Sequence, residues 1–126
     1  MRAADVRTST SAAAARKLRS QLAPGRAAFN RGEFFAAHEL WEDVWRNLAG
    51  EHRTFTQGLI QIAAGLHHLQ RGRPRPAASV LGRGVEKLAR GGAVQSIATL
   101  VRGVARVRAA LEAGGDAAVE AGQIRF

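Results

Sequence analysis

Apolar residues recur three and four positions apart in segment after segment of this chain, and a glycine stands at the end of each such segment. That spacing lines them up on one face of an α-helix, whereas no segment shows the strict alternation of a half-buried strand. The chain is therefore read as all-α. Pro24 suits the first turn of a helix that stops at Asn30-Arg31-Gly32, where glycine supplies a left-handed residue. A second helix, from about Glu33 to Leu48, carries Phe34, Ala37, Trp41, Val44, Trp45 and Leu48 on one face and closes at Ala49-Gly50. A third, from about Arg53 to Gln70, places Phe55, Leu59, Ile62, Leu66 and Leu69 in one stripe before Arg71-Gly72. Pro74 and Pro76 open a fourth with Val80, Leu81, Val85 and Leu88 inward. After Gly91-Gly92 a last helix carries Ile97, Leu100, Val101, Val104, Val107 and Leu111.

Shifting the sequence by 40 residues lays Gly32 on Gly72, Phe29 on Leu69, Ala37 on Ala77, Trp41 on Leu81, Trp45 on Val85 and Leu48 on Leu88. Such an echo is the mark of a repeated supersecondary unit. The turn FNRGEFFAAHELW also looks like a tetratricopeptide turn, with a small residue where two helices cross closely. The expected architecture is about five antiparallel helices, as two tetratricopeptide-like hairpins and a closing helix in a compact bundle. Two units fall short of the roughly three that a solenoid needs. Residues 1–14 read as a disordered N-terminal segment, 15–113 as one helical domain, and 114–126 as a loosely docked tail anchored by Ile124 and Phe126.

The chain of 126 residues is long enough to bury an ordinary core without staples. It has no cysteine, so disulfides, zinc ribbons and thiol nucleophiles are excluded. No stretch has the apolar length of a membrane span and the start lacks the apolar core of a secretory signal, so a cytoplasmic protein with no membrane partner is expected. A net charge of +9 suits a polyanion partner. Arginine outnumbers lysine 17 to 2, however, and alongside abundant Ala and Gly this is as well explained by GC-rich coding.

The stretches FNRGEFFAAHELWEDVW and FTQGLIQIAAGLHHLQRG together resemble the DUF309 family of small helical proteins of unassigned function. Members show a phenylalanine-rich turn, His-Glu, a second glutamate, a tryptophan, then Gln-Gly-Leu-Ile-Gln and a later histidine. Here these are Phe34 and Phe35, His38, Glu39, Glu42, Trp45, then Gln57, Gly58, Leu59, Ile60, Gln61 and His68. The resemblant core spans about residues 26–90 and is weaker after Gly72, where Arg73-Pro74-Arg75-Pro76 replaces an Asn-containing turn. The resemblance implies a fold and a site, and no chemistry.

At about 100° per residue His38 falls within the apolar stripe of its helix with Glu42 beside it, while Glu39 points further round toward Asp43. Gln57, Gln61 and His68 make a second polar stripe on the next helix, and two antiparallel helices bring such stripes together. The expected site is a polar pocket of His38, Glu39, Glu42, Trp45, Gln57, Gln61 and His68 in a binding or adaptor module for a small ligand or a protein partner. A structural network of the same groups is the competing reading, since buried polar side chains need partners. A metal-dependent, hydrolase-like enzyme is the alternative, with His38, Glu42 and His68 as ligands of a divalent ion. HELWE lacks the second histidine of HExxH, and no cofactor is assigned. A third reading takes Arg83, Lys87, Arg90, Arg102 and Arg106 as a basic helix face for nonspecific nucleic-acid binding. No aromatic is interleaved among them, which disfavours base stacking. Apolar surface on the last helix is compatible with a homodimer.

Overall fold

The computed structural model describes residues 3–90 and 97–126, and among these the regular structure is six helices: α1 (Ala3–Asn30), α2 (Phe34–Trp45), α3 (Gly50–Gln70), α4 (Pro74–Arg90), α5 (Ala98–Ala113) and α6 (Ala117–Gly122). The all-α expectation holds, with one short helix more than the five expected. The break at Gly91-Gly92 lies outside the described residues. No helix among the described residues is long and apolar enough to cross a membrane.

Two hairpins repeat one cap. At the end of α1, Gly32 has φ +79°, its N–H donates to Phe29 O at 2.9 Å, and Glu33 N–H donates to Ala28 O at 3.0 Å. At the end of α3, Gly72 has φ +71°, its N–H donates to Leu69 O at 3.0 Å, and Arg73 N–H donates to His68 O at 2.9 Å. Both are Schellman motifs, in which a left-handed residue lets two orphan N–H groups reach the last carbonyls. The 40-residue echo is thus a repeated helix stop. Gln70 Nε2 donates to Gly32 O at 2.8 Å and ties the end of α3 to the first turn.

α1 departs from expectation at its proline. Pro24 lies inside the helix Ala3–Asn30, not in its first turn. A proline inside a helix has no N–H for the carbonyl four residues earlier, at a cost of about 3 kcal/mol. Packing outweighs this here. Leu18, Leu22, Gly25, Ala28 and Phe29 form one buried stripe on both sides of the exposed Pro24 and hold the helix continuous.

That stripe seats α2. Trp41 is buried against Phe29, its indole N–H donates to Leu22 O at 3.1 Å, and the ring lies over Gly25. α3 is the central helix. It buries Phe55, Leu59, Ile62, Ala63, Leu66 and Leu69 and packs on α2, α4 and α6. Against α4 it presents glycines: a Cβ at position 58 would lie 3.0 Å from Gly84 O, and one at 65 would lie 2.6 Å from Leu81 Cγ.

Ile124 and Phe126 dock the tail onto the core. α6 buries Ala117 and Ala121, and Ile124, at 1% exposure, packs over Gly103 of α5. Phe126 stands edge-on to Phe29 at 5.3 Å between ring centres and contacts Trp41. Its backbone N–H donates to Asn30 Oδ1 at 2.9 Å, while its carbonyl accepts from Asn30 Nδ2 at 2.8 Å and from Arg26 Nε.

Two substitutions test this packing with opposite signs. Gly25→Ala improves helix propensity by about 1 kcal/mol, yet its methyl would sit 2.3 Å from the Trp41 indole nitrogen. A net loss of about 1–3 kcal/mol is expected in urea unfolding, and an unchanged midpoint would remove the Trp41 seat from the account. Thr56 is fully buried and its hydroxyl has no hydrogen-bond partner among the described residues. Thr56→Val keeps the shape and removes the orphan group, so stability should be equal or higher by about 1 kcal/mol.

Candidate functional site

α2 and α3 lie side by side, and the polar residues of both helices line the groove between them as two neighbouring pockets. The first, of about 110 Å³, is lined by Phe35, His38, Ala64, His67 and His68. The second, of about 210 Å³, is lined by Glu42, Trp45, Gln57, Ile60 and Gln61. Six of the seven residues expected to form one pocket are therefore divided between two, and the seventh, Glu39, is exposed and lines neither. The helical period explains this: Glu39 is about 100° round from His38 and faces outward, while Glu42 is one turn along on the groove side. His38 Nδ1 and Glu42 Oε2 connect the pockets at 3.8 Å, too long for a direct hydrogen bond. Their side chains are 26% and 39% exposed, so the pair is not the buried network of the structural reading.

Three nitrogens on residues of this groove are shielded from solvent and have no hydrogen-bond partner among the described residues: His38 Nδ1, His68 Nδ1 and Trp45 Nε1. Trp45 is otherwise firmly held. The Arg53 guanidinium lies 3.8 Å from the centre of its ring, and the same side chain donates to Trp45 O at 3.4 Å and Leu48 O at 3.2 Å. Arg53 thus satisfies carbonyls at the end of α2 and places a cation beside the negative end of that helix. The indole is fixed while its N–H is left unused. On the far side of α3, Lys87 Nζ donates to Gln61 Oε1 at 3.1 Å.

The five basic residues read as one face serve different ends. Lys87 is half-buried and turned to Gln61, Arg90 pairs with Glu86 at 3.4 Å, Arg106 with Glu120 at 3.7 Å, and Arg102 donates to Thr99 Oγ1 at 3.4 Å. Arg83 is exposed on α4. Among the described residues no three His, Asp or Glu side chains gather closely enough to hold a metal ion, so His38, Glu42 and His68 do not assemble as ligands.

Sequence reasoning missed His67 and Arg53. His67 follows from the helical period, because a residue next to His68 near the Gly72 stop still faces α2. Its ring lies 5.2 Å from that of the exposed Phe35. Arg53 carried no period signal, since it acts on the end of the preceding helix. Burial, then the charge of Arg71, holds His67 below the ordinary histidine value of 6.5, with smaller contributions of the same sign from His68 and His38 and an opposing hydrogen bond with Gln70. The unfolded chain therefore takes up this proton more readily. The stability that results is present above 6.5 and is lost as pH falls through the lower folded value. Unfolding midpoints measured on either side of 6.5 should fall with acid, and by less in His67→Gln; an equal fall in both proteins would contradict the assignment.

Residues 22–80 match the model of DUF309, a domain of unknown function. A protein of Aquifex aeolicus (strain VF5) described as uncharacterized is 38% identical over 55 residues, which is 43% of this chain and 16% of that protein. The chain thus spans only a small part of that relative. No solved structure matches. All residues lining the two pockets fall between positions 22 and 80, within the segment that is similar to DUF309, a domain of unknown function.

Proposed function

We propose that the α2–α3 groove is a binding site and that the protein works as a small binding module for a ligand or a peptide group. The observation that carries this reading is the set of unpartnered nitrogens, His38 Nδ1, His68 Nδ1 and Trp45 Nε1, all on the walls of one groove. A buried polar group without a partner costs about 1–3 kcal/mol, and folds tolerate it mainly where something other than folding uses the group. Here each belongs to a residue that lines one of the two pockets. The repeated hairpin and its tetratricopeptide-like turn favour binding over chemistry. The metal-dependent alternative lacks a gathered ligand set among the described residues, and the nucleic-acid alternative lacks a gathered basic face.

The test combines stability with a site reporter. His68→Leu removes the orphan ring nitrogen at similar volume, so urea unfolding should show equal or higher stability; a loss above about 2 kcal/mol would assign the ring to a structural network. In ¹H–¹⁵N spectra, a panel of small carboxylate, ammonium and amide compounds should contain members that shift the Trp45 indole signal. The Trp41 indole, already bonded to Leu22 O, should stay in place. A panel that moves neither indole would overturn the proposal.

A further inference from the structure

The second pocket shows what kind of molecule would satisfy it. Lys87 has only donors, so the bond from its Nζ forces Gln61 to present its oxygen to the lysine and leaves the amide N–H groups for the pocket. Trp45 Nε1 is a further donor with no partner. One side of the pocket is therefore rich in N–H groups and backed by an ammonium. The other side holds Glu42, an acceptor whose carboxylate lies 3.8 Å from His38 Nδ1. Glu42 and Lys87 belong to α2 and α4, stand on either side of α3, and form no ion pair with each other. Between them Ile60 and the indole supply an apolar wall. At about 210 Å³ the space is smaller than the roughly 300–1,000 Å³ that buries drug-sized ligands.

From this arrangement we infer that the Glu42–Trp45–Gln61 pocket binds a small zwitterion, a free α-amino acid with a short aliphatic side chain. The carboxylate accepts from Trp45 Nε1–H and the Gln61 amide within the field of Lys87, the ammonium donates to Glu42, and the side chain lies on Ile60. This rests on the reading of the groove as a binding site and adds the ligand class. It also explains why Lys87, outside the segment 22–80 that matches the family model, bears on the pocket.

The experiment titrates the full chain with L-valine, with isovalerate, which lacks the ammonium, and with L-valinamide, which lacks the carboxylate, following the Trp45 indole signal. Valine should bind most tightly, with each analogue weaker by roughly tenfold, the scale of one charge-assisted hydrogen bond. Glu42→Gln should bring valine down to the affinity of isovalerate, and Lys87→Met should bring it down to that of valinamide. Isovalerate binding as well as valine, or no valine shift at about 10 mM, overturns the inference. If another fragment moves the Trp45 indole while valine does not, the zwitterion is wrong and the binding groove stands. Should either variant fail to fold, the three ligands on the unaltered protein still decide the question.

Discussion

The contact on which this molecule turns is the one between Gly58 and Gly84, where the backbones of α3 and α4 meet with no side chain between them. Helix axes normally stay about 8–10 Å apart because side chains hold them there. Glycine on both helices lets α4 settle onto α3, and Leu81 fills the notch over Gly65 further along. With α4 this close, Lys87 reaches Gln61 across the top of α3. The orientation of one amide in the groove is thus set by packing on the opposite side of the central helix.

The two tryptophans of α2 show how one turn of helix separates structure from site. Trp41 is enclosed by Phe29 and Phe126, rests on Gly25 and gives its N–H to a backbone carbonyl. All its bonding capacity is used. Trp45 is half-buried, held by Arg53 from the ring face, and its N–H has no partner. Aromatic side chains with a polar tip serve both uses, and only the neighbours decide which. Trp41 fixes where α2 sits, and Trp45 packs at the margin of the core and lines the groove.

Much of the fold was legible because local rules act within a few residues. The stripe Phe55, Leu59, Ile62, Leu66 and Leu69 is buried throughout, and both Schellman stops fall at the glycines that the repeat aligns. α1 was misread because Pro24 is a strong local breaker, overruled by a long-range stripe from Leu18 to Phe29. The seats of the tail residues were not legible for a similar reason. Ile124 and Phe126 have no helical neighbours to lend them a period, and their places over Gly103 and beside Phe29 are set by residues far away in sequence.

For the site, sequence by itself determined which polar residues share a helix face: His38 with Glu42, and Gln57 with Gln61, because a 3.6-residue period leaves no other choice. Tertiary structure alone decided how the two faces meet. It divided one expected pocket into two, set the ring of His67 against Phe35, drew Lys87 to Gln61 from α4 and laid Arg53 over Trp45. Periodicity specifies direction around an axis, whereas the distance and register between axes depend on which side chains are absent at the crossing, as at Gly25, Gly58 and Gly84.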